Sequence, residues 1–252
     1  MKKILRWFPR PFLIQMSLLF QPFLRLLFRG NTFTDPIDGS SYRKFLPYGY
    51  GEHLRPNALC PGTLSLERHR LLWLYLKRHS SFLKKPIKVL HVAPEQIFFS
   101  KFKKIQDWDY ITTDLHSPLA TVKADLCNLP FEEEQFDLIL CNHVLEHIED
   151  DLKAMQELFR VLKRGGTLIA QVPMDENSTK TLEDFNIVKP QERAVMFGQY
   201  DHVRIYGLDF FDRLEKVGFK AAAVLIQDQL EASEIKRFAL PPKEKIPVAT
   251  KP

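Results

Sequence analysis

The sequence has little cysteine and little glycine. Three cysteines, Cys60, Cys127 and Cys141, are too few for a disulfide framework in 252 residues. Free cysteines in such numbers are typical of a reducing compartment, where they pack as small buried hydrophobes. Internal repeats and low-complexity tracts are also missing, and 20 Phe with 3 Trp supply ample core material. The composition therefore predicts a globular, cytoplasmic protein and excludes global disorder.

Acidic residues are missing from the start of the chain. Residues 1–34 hold six basic side chains and no acidic one, and the remainder holds 30 basic and 31 acidic residues. The net charge of +5 therefore belongs to the N-terminal segment. Because a nucleic-acid groove needs positive charge on the folded domain, this distribution argues against a nucleic-acid partner.

An uninterrupted apolar run is missing as well. Residues 11–28 are rich in Leu and Phe, but they contain Arg25 and two prolines, and no small-residue cleavage site follows. These features argue against both a spanning helix and a signal peptide. A helical wheel gives a wide apolar face opposite Arg25 and Arg29. Such a helix suits the anionic inner face of a membrane, or it packs on the protein's own domain.

The chain divides into three parts by composition. Residues 1–30 form the amphipathic segment, residues 31–82 a turn-rich element plus a helix, and residues 83–252 the main domain. Within the main domain, residues 174–206 are an irregular insertion that we expect to lie over a pocket. From residue 86 onward strands and helices alternate, which predicts an α/β fold with a parallel sheet in a Rossmann-like three-layer αβα sandwich.

Polar side chains follow several predicted strands. Asp114 ends the second strand, Asp125 follows the third, and Asn142 and His143 follow the fourth. Ligands of open parallel sheets bind at the carboxyl ends of the strands. A carboxylate at the end of the second strand can accept both hydroxyl hydrogens of a ribose. The pattern therefore predicts a ribose-bearing cofactor.

Glycine is missing from the loop where a dinucleotide would need it. Residues 91–96 read HVAPEQ, whereas a pyrophosphate needs glycines that let backbone N–H groups approach. Glu95 would repel a phosphate, but it could hold the cationic amino group of S-adenosylmethionine. The loop therefore favours that cofactor over a nicotinamide dinucleotide and argues against an oxidoreductase.

Four motifs occur together and in order after this loop. They are D-x-x-x-L-P-F from Asp125, F-D-L-I from Phe136, H-V-L-E-H from His143 and R-V-L-K-R-G-G from Arg160. With these motifs, residues 86–227 resemble the class I S-adenosylmethionine-dependent methyltransferases, specifically the type 11 methyltransferase domain. The resemblance implies a seven-stranded, mostly parallel sheet with an antiparallel last strand, and methyl transfer to a small or lipophilic acceptor.

The resemblance also implies roles for individual residues. Asp114 would bind the ribose hydroxyls, Asp125 and Leu126 would bracket the adenine, and Asn142 and His143 would line the methionine part. The cofactor-binding residues predicted in this way are His91, Ala93, Glu95, Asp114, Leu115, Asp125, Leu126, Asn142 and His143.

The first motif departs from the family pattern. His91 stands at the family's acidic position, and Ala93 and Glu95 stand at glycine positions. We expect a shifted loop in which Glu95 takes over the acidic role. The alternative is a membrane-associated pseudoenzyme or binding module that has kept the fold and lost the cofactor.

The acceptor side is predicted in the sequence GQYDHVRIYG, residues 198–207. Tyr200, Asp201 and His202 lie together there, with Arg204 and Tyr206 close behind. A histidine held by an aspartate is a plausible base near neutral pH. The predicted catalytic residues are His202, Tyr200 and His143, and the alternative is a solvated loop that covers the pocket.

Two short pairs have the spacing of zinc knuckles. Asp35-x-x-Asp38 and Cys60-x-x-Thr63 resemble a small zinc-binding element that precedes some such domains. Structural zinc prefers Cys and His, and one cysteine among four positions is a poor ligand set. We therefore expect no metal here and interpret the pairs as tight turns formed by Asp35 and Asp38.

Overall fold

A computed structural model describes residues 20–49 and 54–252. Residues 20–27 are helical. The strands are β1 (Arg29–Thr34), β2 (Ser41–Tyr42), β3 (Leu46–Tyr48), β4 (Arg55–Leu59), β5 (Ile87–Val92), β6 (Trp108–Asp114), β7 (Val122–Lys123), β8 (Phe136–Cys141), β9 (Leu162–Ile169), β10 (Leu182–Glu183), β11 (Arg204–Ile205), β12 (Lys220–Val224) and β13 (Ile246–Thr250). The helices are α1 (Glu67–Arg78), α2 (Gln96–Phe102), α3 (Asp151–Val161), α4 (Pro190–Met196), α5 (Phe210–Val217) and α6 (Ala232–Arg237). Single 3-10 turns cover Phe82–Lys84, Leu145–His147 and Ile226–Gln229.

The chain forms two compact units. The first unit holds the residues up to Ser80 together with Leu225–Glu244, and the second holds Ser81–Val224 with Lys245–Pro252. This division differs from the predicted boundary at residue 83, because Leu225–Glu244 joins the first unit. The guanidinium of Arg70, in α1, explains the difference. It donates hydrogen bonds to the carbonyl oxygens of Phe238 at 2.8 Å and Ala239 at 2.8 Å.

The second unit is built on a seven-stranded sheet in the order β12-β13-β9-β8-β5-β6-β7. The pairs from β9 to β7 are parallel, and β13 runs antiparallel to both of its neighbours. The predicted α/β fold is therefore confirmed, including the antiparallel last strand.

Local sequence explains the central elements of this unit. Strands β5 and β8 are short apolar runs that are buried almost throughout, as parallel strands between helices must be. Asp150 caps α3 by accepting a hydrogen bond from the N–H of Lys153 at 3.0 Å. Helix α5 ends at Gly218, whose φ of 116° lies in the left-handed region that glycine adopts without strain. These helices pack their apolar faces on the sheet through Met155, Leu158 and Leu214, among others.

In the first unit, the two knuckle-like pairs are turns closed by hydrogen bonds. Asp35 Oδ1 accepts the N–H of Ile37 at 2.9 Å, and Asp38 Oδ1 accepts the N–H of Ser40 at 2.9 Å. The other oxygen of Asp35 accepts hydrogen bonds from the hydroxyl of Ser65 at 2.7 Å and from that of Thr63. Both aspartates therefore act as turn formers.

Most of the predicted amphipathic segment lies outside the described residues, since these begin at residue 20. Within residues 20–27, the side chains of Phe20 and Phe23 are 52% and 60% exposed. Arg25, in contrast, donates to the carbonyl of Gly62 at 3.2 Å and to Asp38 at 3.1 Å. Among the described residues, no helix combines the length and the hydropathy that a membrane crossing requires.

Candidate functional site

The carboxyl ends of the parallel strands form one level edge. Val92, the last residue of β5, pairs with Thr113 of β6 and with Cys141 of β8. The loops that leave these strands therefore start at the same height, where open α/β sheets bind their ligands. The predicted cofactor-binding residues lie at this edge or in the loops that follow it.

A buried hydrogen-bond chain holds the first of these loops. His91 is fully buried, and its Nε2 lies 2.7 Å from Glu95 Oε2 while its Nδ1 lies 2.7 Å from the Tyr110 hydroxyl. Since a carboxylate accepts hydrogen bonds, Nε2 carries a hydrogen that it donates to Glu95, and Nδ1 shares a hydrogen bond with the Tyr110 hydroxyl. Burial, together with the charge of Glu95, raises the pKa of Tyr110, so its hydroxyl keeps its hydrogen. The chain fixes the Glu95 side chain just before α2.

Ala93 adopts a backbone conformation that favours glycine. Its φ is +47°, in the left-handed region that costs an alanine about 1 kcal/mol. Its N–H donates to the carbonyl of Thr113 at 2.8 Å. The loop therefore keeps a glycine-type turn at a family glycine position, although the residue is alanine.

The two aspartates predicted to contact the nucleoside part lie at loop starts. Asp114 Oδ1 accepts the N–H of His116 at 2.7 Å and that of Ser117 at 2.6 Å, which shapes the turn after β6. No described residue donates to its Oδ2. Asp125 Oδ1 accepts the N–H of Cys127 at 2.9 Å. Leu115 is exposed beside Asp114, and Leu126 is buried beside Asp125.

The loop after β8 is tied to the loop after β9. The N–H of His143 donates to the Gln171 carbonyl at 2.7 Å, and the N–H of Gln171 donates to Asn142 Oδ1 at 3.3 Å. His143, like Ala93, has a left-handed φ, +54°. The two strand-end loops therefore hold Asn142 and His143 in one fixed arrangement.

Several buried polar atoms at this edge have no hydrogen-bond partner among the described residues. They are Thr113 Oγ1, Asn142 Nδ2 and both amide atoms of the Gln171 side chain. Buried polar atoms are nearly always paired, so a group of unpaired ones calls for a ligand or water to complete it. A ribose, an amino group and a carboxylate would provide such partners. The edge therefore fits S-adenosylmethionine.

A second polar cluster lies beyond His143. Glu146 is fully buried and accepts a hydrogen bond from His143 Nδ1 at 3.2 Å. The rings of His147 and His202 meet edge to face, with 4.8 Å between centroids. Burial raises the pKa of Glu146, but the hydrogen bond from His143 and the charges of His143 and His147 outweigh it, so the pKa lies below its usual value. Burial lowers the pKa of His202.

The three predicted catalytic residues lie in different surroundings. His202 is buried beside His147, His143 reaches the cluster through Glu146, and Tyr200 is exposed. The expected Asp201–His202 hydrogen bond is not formed. His202 Nδ1 donates to the Phe197 carbonyl at 3.1 Å, and Asp201 lies against His147, whose Nδ1 donates to its carbonyl at 3.1 Å. Tight folding of residues 197–202 makes the backbone carbonyl the nearer acceptor.

Arg204 and Tyr206 are buried, and their side chains bind neighbouring backbone and carboxylate groups. Buried Arg204 donates to the carbonyl of Leu145 at 3.1 Å and to that of Glu149 at 2.8 Å. The Tyr206 hydroxyl donates to Asp151 at 2.8 Å. These bonds hold residues 145–149 beside residues 202–206. Glu146 and His147 are not among the predicted site residues, although the H-V-L-E-H motif contains both.

Comparison with known proteins agrees with this geometry. The sequence profile of a family described as a methyltransferase domain matches residues 86–170. A ubiquinone/menaquinone biosynthesis C-methyltransferase of Neisseria gonorrhoeae is 28% identical in an alignment of 163 positions that covers 58% of this chain and 62% of that protein. Ajmaline N-methyltransferase of Rauvolfia serpentina is 28% identical over 109 residues, 43% of this chain and 34% of that protein. The match thus covers less than two thirds of either relative.

Solved structures share the fold at low sequence identity. The 4+2 cyclase SpnF superposes with a TM-score of 0.54 at 15% identity, covering 94% of this chain and 96% of that one. Such a likeness shows the fold alone. The pseudoenzyme alternative gains no support from these relatives.

The matched segment, the sheet order and the strand-end residues agree with one another. Residues 86–170 belong to the methyltransferase domain family, and the chain contains a class I S-adenosylmethionine-dependent methyltransferase domain, whose cofactor is S-adenosylmethionine.

Proposed function

We propose that the protein transfers a methyl group from S-adenosylmethionine to a small-molecule acceptor. The observation that carries the proposal is the row of unpaired buried polar atoms along the carboxyl edge of the matched segment. The cofactor's chemistry is an electrophilic methyl group on a sulfonium. The protein's part is then to align the acceptor and to remove a proton where the acceptor atom carries one.

On the cofactor side, we propose that Glu95 holds the amino group, positioned by its hydrogen bond from His91. Asp114 would accept the ribose hydroxyls through Oδ2, because Oδ1 is used by the turn. The left-handed turn at Ala93 lets the backbone approach the cofactor. The remaining proposed contacts are Leu115, Asp125, Leu126, Asn142 and His143.

On the acceptor side, we propose His202 as the base. Its Nδ1 hydrogen is used by the Phe197 carbonyl, so Nε2 keeps a lone pair. Its lowered pKa keeps the ring neutral at pH 7. His143 would orient the acceptor through Glu146, and Tyr200 would contact it from the exposed loop.

We further propose that the acceptor is lipophilic and is met at an anionic membrane surface. The exposed Phe20 and Phe23 support this proposal. So does the relative named for ubiquinone and menaquinone biosynthesis. Vesicle flotation tests it with the double variant Phe20→Ser/Phe23→Ser, which should weaken binding at least about tenfold. Val195→Ser is the control, because Val195 is 88% exposed in α4. Equal binding by both variants would contradict the proposal.

The transfer reaction is tested with methyl-labelled S-adenosylmethionine and two acceptors, a reduced prenylated quinone and a tertiary amine alkaloid. Labelled quinone is the expected product, and labelled alkaloid would redirect the acceptor class. Asp114→Ala should reduce labelling about 100-fold through lost cofactor binding. Asp114→Asn keeps an oxygen that can accept the hydrogen bonds of the turn but removes the negative charge, so its labelling shows how much the charge contributes. Asp109→Ala is the control, since Asp109 is exposed at the opposite end of β6. Equal labelling by Asp114→Ala and Asp109→Ala would contradict the assignment.

A further inference from the structure

The cluster beyond β8 brings together two imidazoles and a carboxylate. One ligand atom each from Glu146, His147 and His202 lies within 4.8 Å of the other two. We propose that these three side chains bind a divalent transition-metal ion, and that zinc is the ion they suit best. Two histidines with one glutamate form a zinc ligand set that leaves a fourth position open. Imidazole ligands also disfavour magnesium and calcium, which prefer oxygen.

Both histidines are set up as metal ligands by their outer hydrogen bonds. His202 Nδ1 lies 3.1 Å from the Phe197 carbonyl oxygen, and His147 Nδ1 lies 3.1 Å from that of Asp201. A carbonyl oxygen can only accept, so each Nδ1 carries a hydrogen, and Nε2, which releases any proton when a metal binds, is the nitrogen left to act as the ligand. Metal-binding histidines typically have this arrangement, in which a second group fixes the tautomer and the ring.

Glu146 provides an independent observation. The residue is fully buried, and its Oε1 is paired with His143. Its Oε2 is also buried, and no described residue donates a hydrogen bond to it. A buried carboxylate oxygen without a partner is costly. A cation between Glu146 and the two Nε2 atoms would remove that cost.

The backbone holds the ligands in place before any ion binds. The N–H of Val203 donates to the Glu146 carbonyl at 2.9 Å, and Arg204 ties the same two segments together from the buried side. Ligand atoms of a tetrahedral zinc lie about 3.3 Å apart, as follows from its bond lengths. The three ligand atoms, which lie within 4.8 Å of one another, would have to reach that separation by side-chain rotation when an ion binds. His147 is partly exposed and gives the ion access from solvent.

Zinc at this position would change the role of His202. Its Nε2 would bind the ion and could no longer act as the base, and an acceptor hydroxyl at the fourth position would lose its proton to solvent water more readily because of the metal charge. Metal binding itself does not depend on methyl transfer, so the two proposals can fail separately.

The test is a calorimetric titration with zinc chloride of the full chain, after removal of any affinity tag and of metals by a chelator. We expect one equivalent to bind with submicromolar affinity. His147→Gln, His202→Gln and Glu146→Gln should each weaken binding at least about 100-fold, since each removes one of three ligands. His79→Gln, in the first unit, is the matched control and should bind like the unmodified protein.

Cobalt absorption provides a second readout that does not rely on the variants. Tetrahedral coordination gives Co²⁺ intense d–d bands, which zinc should abolish by competition. Absence of a bound equivalent, or unchanged binding by His202→Gln, would overturn the site. Titration of the same samples with S-adenosylmethionine distinguishes this failure from failure of the proposed function, because His202→Gln should retain cofactor binding.

Discussion

The knuckle-like turns of the first unit and the Glu146–His147–His202 cluster of the second differ in an instructive way. The turns have the sequence spacing of a metal site, but hydroxyl and backbone donors already occupy the Asp35 carboxylate. The cluster has no recognisable metal spacing, yet its ligand atoms lie within 4.8 Å of one another. Spacing predicts the turn, whereas the unpaired atoms determine whether a ligand is needed.

The electrostatics of the two regions follow the same division. Burial and the charge of Asp35 raise the pKa of Cys60 to about 12, so its thiol stays protonated and is a poor ligand. In the second unit Glu146 stays ionised in spite of its burial. One region is therefore complete as a hydrogen-bonded unit, whereas the other keeps a buried carboxylate oxygen, Glu146 Oε2, to which no described residue donates.

The largest expected effect comes from the buried arginine of each unit. Arg70→Met and Arg204→Met should each lower the free energy of unfolding by about 4 kcal/mol, because each leaves buried carbonyl groups without donors. Urea denaturation is followed by tryptophan fluorescence. Trp73 lies in the first unit and Trp108 in the second, so the variants Trp73→Phe and Trp108→Phe show which unit has lost stability. Zinc binding by the folded protein should survive in Arg70→Met and disappear in Arg204→Met. Loss in both variants would contradict the separation of the two regions.

The next effect concerns Asp35. Asp35→Ala should lower the free energy of unfolding by about 3 kcal/mol, because Ser65, Thr63 and Ile37 all lose a charged hydrogen-bond acceptor. Asp38→Ala is the control and should cost less than about 1 kcal/mol, since its ion pair with Arg25 is exposed. Urea denaturation measures both. Equal effects, or a stabilisation of the first unit by zinc that Asp35→Ala abolishes, would show that the turns have been misinterpreted.

The two units should respond to pH in opposite directions. Burial and the charge of Glu67 raise the pKa of Glu244 to about 7, so stability falls as pH rises from about 4.5 through 7. The pKa values of Glu146 and His202 lie below their usual values, so stability in the second unit falls as pH decreases. Glu244→Gln should raise the free energy of unfolding by about 2 kcal/mol at pH 8 and by little at pH 5, as measured by urea denaturation at each pH. Equal gains at both pH values would contradict the assignment.

The smallest expected effect concerns Ala93, in the loop after β5. The motif there lacks a glycine, but the backbone has a conformation that glycine prefers. Ala93→Gly should stabilise the protein by about 0.5–1 kcal/mol, because glycine adopts the left-handed conformation without strain. Ala93→Val should be destabilising at the same position. Thermal melts measure both changes. A destabilised Ala93→Gly would show that the turn is not left-handed in solution.

The alternation of strands and helices from residue 86 onward could be predicted from the sequence, because local pattern determines these elements. Strand β5, helix α3 and the end of α5 at Gly218 follow from apolar periodicity, capping and glycine placement. The strand-end position of Asp114 then follows from the order of elements. These features depend on neighbouring residues, which a sequence displays directly.

Contacts between distant residues were not predictable in this way. Arg70 donates a hydrogen bond to the carbonyl of Phe238, which is 168 residues away in the sequence. Because of such contacts, Leu225–Glu244 belongs to the first unit. The structural role of Arg204 was not predictable either, because the sequence does not show the carbonyl groups that surround its guanidinium. The approach of His202 to Glu146 depends on the same long-range packing.

The central claim is that a loop without glycine still binds S-adenosylmethionine at the sheet edge. Calorimetric titration with S-adenosylmethionine and, separately, with S-adenosylhomocysteine tests it most directly. We predict micromolar binding of both, weakened about 100-fold by Asp114→Ala and unchanged by Asp109→Ala. Absence of heat and of thermal stabilisation with either ligand would contradict the account and favour a fold that has lost its cofactor.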